Sequence, residues 1–151
     1  MRTQLIIILL LLSVAVRGRA QTGVSGIQPL AFGTLLPGVA ETIQPTNPGS
    51  SGEFTLTGNK NEQVSITFSL PSAMTGPHGA TLPLTFGATS GGYSRSSSTS
   101  DETAFDPRQT QTVQLAHNGT GEVFLGGTAN PGTQQRAGSY SATVTLSATF
   151  E

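Results

Sequence analysis

The sequence predicts an all-β protein, a sandwich of two antiparallel sheets with seven or eight strands. Three observations carry that expectation. The last twelve residues, Ser139–Phe150, alternate without a break: Tyr140, Ala142, Val144, Leu146, Ala148 and Phe150 on one face, Ser and Thr on the other. Period-two alternation is the mark of a strand with one dry and one wet face. Beyond residue 20, no apolar set recurs at helical spacing over a useful length. Finally, short apolar runs bounded by Gly, Pro and Asn follow one another closely, as in sandwiches.

The elements are expected in this order. Residues 1–20 stand apart: Arg2 precedes the apolar run Leu5–Val16, and Gly18 and Ala20 lie before Gln21 as a small-residue cleavage site. This run is well short of the roughly 20 residues a bilayer-spanning helix needs, so it reads as a secretory signal peptide. An uncleaved anchor is the alternative, because Arg17 and Arg19 are unusual there. Residues 21–29 form a short N-terminal extension, and residues 30–151 a single sandwich domain.

Within that domain Leu30–Leu36 reads as a strand closed by a type II turn at Pro37-Gly38. A short segment, Val39–Gln44, ends at Asn47-Pro48-Gly49. Glu53–Thr57 turns Phe54 and Leu56 inward, and Gln63–Leu70 turns in Val64, Ile66, Phe68 and Leu70. Thr81–Ala88 carries Leu82, Leu84 and Phe86. Pro83 lies within it and has no N–H, so an edge strand is expected. Thr110–Ala116 and Glu122–Thr128 flank Asn118-Gly119, a hairpin signal. Gly126-Gly127 reads as a bulge or tight turn.

Gly87–Gln109 breaks the rhythm. It is rich in Ser and Gly, and a loop this long is usually functional or mobile. Tyr93, Arg95, Asp101, Glu102 and Phe105 are its candidate surface residues. Replacing residues 90–104 with a short Gly/Ser linker is expected to spare stability.

Composition excludes several functions. The chain has no Cys, so disulfides, thiolate metal sites and a lipoprotein anchor are ruled out. All eight acids lie after residue 20, against four bases there (Lys60, Arg95, Arg108, Arg136), leaving a net charge of −4. These bases are scattered, and nucleic-acid binding needs a clustered positive surface. His78 and His117 sit in separate polar turns, and neither HExxH nor GxSxG occurs. Asp101, Glu102 and Asp106 form an acidic cluster without the pattern of a calcium loop. No enzyme and no cofactor are expected. Asn118-Gly119-Thr120 also fits a glycosylation sequon, although the turn is the preferred reading.

Three segments together, LAFGTLLPG (Leu30–Gly38), VFLGGT (Val123–Thr128) and AGSYSATVTLSATF (Ala137–Phe150), resemble the bacterial secreted family catalogued as domain of unknown function 4402. They also resemble the broader group of spore-coat-U-like and chaperone–usher pilin domains. The resemblance implies an immunoglobulin-like, pilin-like sandwich. In pilins of that group one strand is missing, and the N-terminal extension of the next subunit fills the gap through main-chain bonds and alternate side-chain pockets. Here Thr22, Val24 and Gly26 would be the donor residues. Tyr140, Ala142, Val144, Leu146, Ala148 and Phe150 would lie on the assembly-edge strand. The extension is short for a donor, about nine residues or close to 30 Å. The chain also lacks the cysteine pair many pilins carry.

The expected function is a secreted or cell-surface structural subunit of a pilus-like filament or coat. Its partners would be further copies or other surface subunits, with a periplasmic chaperone in transit, no nucleic acid, and no membrane span after signal cleavage. The alternative is a self-contained secreted adhesion or binding module.

Overall fold

The structure, a computed structural model, describes residues 22–96 and 98–151; residues 1–20, expected to be a signal peptide, lie outside them. Among the described residues there are twelve strands: β1 (Gly23–Gln28), β2 (Glu41–Ile43), β3 (Gly52–Thr57), β4 (Gln63–Ser69), β5 (Ala73–Thr75), β6 (Thr81–Thr85), β7 (Gly91–Ser94), β8 (Thr103–Phe105), β9 (Gln111–Gln114), β10 (Thr120–Leu125), β11 (Gly127–Ala129) and β12 (Thr145–Phe150). Single 3-10 turns lie at Pro77–Gly79 and Thr99–Asp101. All strand pairing is antiparallel. The first sheet runs β1-β3-β10-β7-β8, the second β2-β11-β6-β5 and the third β12-β4-β9.

The alternating residues build the main core. Leu56, Tyr93, Phe105, Val123 and Leu125 from the first sheet meet Val64, Ile66, Phe68, Val113 and Leu146 from the third, with Leu115 between them. Phe68 sits edge-on to Phe54 and stacks near Phe105 (ring centroids 5.7 and 6.5 Å apart). Two sheets facing across one core make a sandwich. The second sheet adds a smaller core of Leu82, Leu84 and Ala129.

Asn118-Gly119 forms a turn, but one that joins two sheets rather than closing a hairpin. Residues 58–62 carry the chain from β3 in the first sheet to β4 in the third, and residues 115–119 carry it back from β9 to β10. Asn118-Gly119 therefore closes a turn, with the Gly119 N–H on the Ala116 carbonyl (2.9 Å), yet β9 and β10 never pair. The two crossovers bond to each other: Gly58 N–H to Gly119 C=O (2.9 Å), Asn61 N–H to Ala116 C=O (3.1 Å), Leu115 N–H to Glu62 C=O (2.9 Å). Gly119 has φ +80°, and a Cβ there would strike the Gly58 carbonyl, so both conformation and contact require glycine.

Four further expectations are corrected. Leu30–Leu36 forms no ladder. It is a strap across the second sheet, with Phe32 and Leu35 packed on the smaller core and one backbone bond, Ala31 N–H to Ser50 C=O (2.8 Å). The turn that ends it is present: Gly38 has φ +76°, and Val39 N–H bonds Leu36 C=O (3.1 Å).

Pro83 does not mark an edge, because β6 lies between β11 and β5. Its carbonyl accepts from Asn130 N–H (2.9 Å); the partner bond it cannot make falls where β11 has ended.

The run Glu122–Thr128 splits at Gly126 into β10 and β11, which belong to different sheets. A Cβ on Gly126 would strike the Ile43 carbonyl, so only glycine lets the chain cross there.

Gly87–Gln109 is not a loop. It supplies β7 and β8, and Tyr93 and Phe105 are buried in the main core. Glycine spacing hides this. Gly91 gives room for the Phe105 ring and Gly121 for the Tyr93 ring. The large residues of the segment thus stand opposite glycines, and β7 itself shows no run of alternating apolar residues to announce a strand.

Replacing residues 90–104 with a short linker is therefore expected to abolish cooperative unfolding, since it removes β7 and its pairing to β10. Tyr93→Ala alone should cost roughly 3 kcal/mol or more, as for other large aromatic truncations in cores. Urea denaturation of both variants checks this. A change below about 0.5 kcal/mol for Tyr93→Ala, the range of ordinary surface substitutions, would place the residue back on the surface.

Candidate strand-addition site

The terminal alternation does not make one strand. Only Thr145–Phe150 pairs with β4. Tyr140 packs on the smaller core, its hydroxyl donating to the Arg136 carbonyl (2.7 Å) and accepting from Gln135 Nε2 (2.7 Å). Ser141 makes a lone bridge to Thr75 of β5 (2.8 and 3.0 Å). The chain starts on the second sheet and ends on the third, so residues 142–144 span a gap where no ladder continues. Ala142 is exposed there, while Val144, Ala148 and Phe150 pack against the main core.

The geometry of β12 leaves one edge open. Glu151 N–H bonds Gln63 C=O (3.0 Å), which makes Glu151 and Gln63 a hydrogen-bonded pair. Paired residues alternate along an antiparallel ladder, so Thr149, Ser147 and Thr145 also face β4. Leu146, Ala148 and Phe150 then point their N–H and C=O groups to the opposite edge, where β12 has no strand partner among the described residues. Unpaired strand edges are templates for another chain.

The candidate donor residues lie elsewhere. Rather than a free extension, residues 23–28 form the edge of the first sheet on β3, in the register Gly23↔Thr57, Val24↔Leu56, Ser25↔Thr55 and Gly26↔Phe54. Val24 packs on its own core, whereas Thr22 and Gly26 are exposed. Between Gly26 and Gln28 the register shifts, and Gln28 then pairs with Glu53. β1 and β12 approach one another without pairing.

A trough accompanies this seam. Two adjoining cavities of about 600 and 500 Å³ share Leu30, Phe32, Met74 and Tyr140. The strap walls one side and residues 138–144 the other. The large apolar residues most exposed to solvent, Ile27 (58%), Leu36 (65%) and Val39 (52%), all lie on the N-terminal arm, residues 22–39. No motif in the sequence signals this trough, which arises because the strap does not pair.

The candidate loop residues separate into two groups. Tyr93, Arg95 and Asp101 line one polar cleft, while Phe105 is core. Glu102 lies over Gly92, where a Cβ would strike its carboxyl group. Its Oε2 is buried without a partner, and burial raises its pKa. Glu122, on the same outer face, is buried and accepts from Thr55 Oγ1 (2.8 Å). Burial raises its pKa too; the Thr55 bond opposes this and nearby Glu53 adds to it. Asp106 instead binds Arg108 (2.7 and 2.8 Å), which holds its carboxyl down at about 2. The three acids are thus differently engaged. Among the described residues, no group of three or more His, Asp or Glu side chains is placed to hold a metal ion. His78 and His117 are exposed in separate turns.

A raised carboxylate favours the folded protein in its protonated form. Glu102 and Glu122 therefore add stability as pH falls from neutral through their raised values, and Asp106 withdraws it between 3.8 and about 2. Glu122→Gln should raise the melting temperature at pH 7, with the gain shrinking toward pH 4. Melting curves across that range check the sign; an equal gain at both ends would remove Glu122 as its source.

No helix among the described residues is long and apolar enough to cross a membrane. No curated protein matches the chain. The family model described as a domain of unknown function, DUF4402, matches residues 33–150, from the strap through the last residue of β12. The chain belongs to that family.

Proposed function

We infer that the protein is an exported structural subunit of a pilus-like surface filament or coat, immunoglobulin-like in type, that joins neighbouring subunits by β-strand addition. The observation that carries this reading is the open edge of β12. Leu146, Ala148 and Phe150 offer main-chain donors and acceptors outward while their side chains stay in the core. An added strand would gain the main-chain bonds, and the adjoining trough would take its side chains. The exposed apolar residues of the arm add surface that association would cover.

A second reading has its own observation. Because β1 already pairs with β3 in the same chain, the sandwich uses its N-terminal segment internally. This favours a self-contained adhesion module.

Two proline variants separate them. Ala148→Pro removes an outward N–H and leaves the β4 ladder intact; it should stay folded but lose the SDS-resistant oligomers expected of the wild type. Thr149→Pro removes a ladder bond and should destabilise the fold by at least about 1 kcal/mol. Gel filtration, SDS gels and melting curves read the outcome. Wild-type protein that stays monomeric at high concentration, alone and with a matched chaperone, would leave the self-contained module.

A further inference from the structure

Tyr93 and Arg95 stand two residues apart at the end of β7, so both project from the same face. The Tyr93 hydroxyl donates to the Gln114 carbonyl (2.8 Å) and Arg95 Nη2 donates to the Leu115 carbonyl (2.9 Å). Consecutive carbonyls at the end of β9 thereby hold both side chains in place. A cleft of about 400 Å³ opens beside them, completed by Ser96, Asp101, Thr103 and Gln114. It falls within the roughly 300–1,000 Å³ typical of small-molecule sites.

Each of these side chains carries a polar group. Arg95 and Asp101 bring opposite charges into the cleft. They do not pair with each other, since the ion pair among the described residues is Arg108–Asp106. The Ser96 hydroxyl donates to the Asp101 carboxylate (3.3 Å) and leaves its other oxygen for a ligand. The guanidinium has several donors beyond the one held by Leu115.

A sugar hydroxyl both donates and accepts, so neighbouring hydroxyls can satisfy a carboxylate, a guanidinium, an amide and an alcohol together. The charges balance, which suits a neutral ring, whereas an anionic ligand would meet Asp101. We propose that this cleft binds a neutral saccharide, with Asp101 accepting from ring hydroxyls and Arg95 donating to them. The site does not depend on strand addition and would give a subunit an adhesive surface.

Amide-shift titration of the exported protein with glucose, galactose, mannose and N-acetylglucosamine tests the proposal. At least one sugar should give saturable shifts confined to Tyr93–Ser96, Asp101–Thr103 and Gln114. Asp101→Asn alters an exposed side chain, so it should keep the melting temperature and weaken binding about tenfold or more, a loss equal to about 1.4 kcal/mol. Arg95→Gln should weaken it similarly and, because Arg95 also ties β7 to β9, its melting curve is measured in parallel. No saturable shift with any of the four sugars would overturn the proposal, as would shifts that Asp101→Asn leaves unchanged. Tighter binding of glucuronate than of glucose would overturn the choice of a neutral ligand.

Discussion

The contact between the first and third sheets governs the rest of the molecule. The chain has no cysteine, so no disulfide holds the sheets together. Leu56, Val64, Ile66, Leu115, Val123 and Leu125 are essentially inaccessible to solvent between them. Each such side chain contributes roughly 1.5–3 kcal/mol. The crossovers at residues 58–62 and 115–119 close one end of this contact by bonding to each other, and they fix the register of β3, β4, β9 and β10 together. β12 is anchored by the same core through Leu146 and Phe150. Its inner face and its β4 edge are thereby committed, and the opposite edge is the part left available.

A second feature follows from two runs that change sheets. Gly126 lets one strand pass from the first sheet to the second, and residues 142–144 pass from the second to the third. Both crossings give the second sheet its own small core, over which the strap from Leu30 to Leu36 lies without pairing. An extended strap with little hydrogen bonding packs less closely than a strand, and the two cavities lie against it. The open edge, the trough and the exposed apolar residues of the arm are therefore consequences of one arrangement.

The open edge and the polar cleft lie on opposite sides of the third sheet. β12 forms one edge, while β9, whose last carbonyls anchor Tyr93 and Arg95, forms the other. Subunits joined along β12 would leave the cleft open. The half-buried Glu102 and the buried Glu122 sit on a third surface, the outer face of the first sheet. Their titration bears on stability rather than on either site.

The sequence by itself determined the all-β class and most of the core. Alternation placed Leu56, Val64, Ile66, Phe68, Leu82, Leu84 and Leu146 inward, because a strand's side chains alternate whatever it pairs with. It also located the turns at Pro37-Gly38 and Asn118-Gly119, where backbone conformation is a local property of glycine. What the tertiary structure alone decided was pairing. β7 and β8 were illegible because β7 is glycine-rich: Gly91 makes room for the Phe105 ring of β8, and the Tyr93 ring of β7 lies over Gly121 of β10. Pro83 was misleading because its missing bond falls where a neighbouring strand has already ended. The terminal run looked like one strand because alternation records which face is dry and carries no information about which sheet supplies the hydrogen bonds. Main-chain pairing is the same chemistry at every residue, so its partners are chosen by the packing of the whole chain.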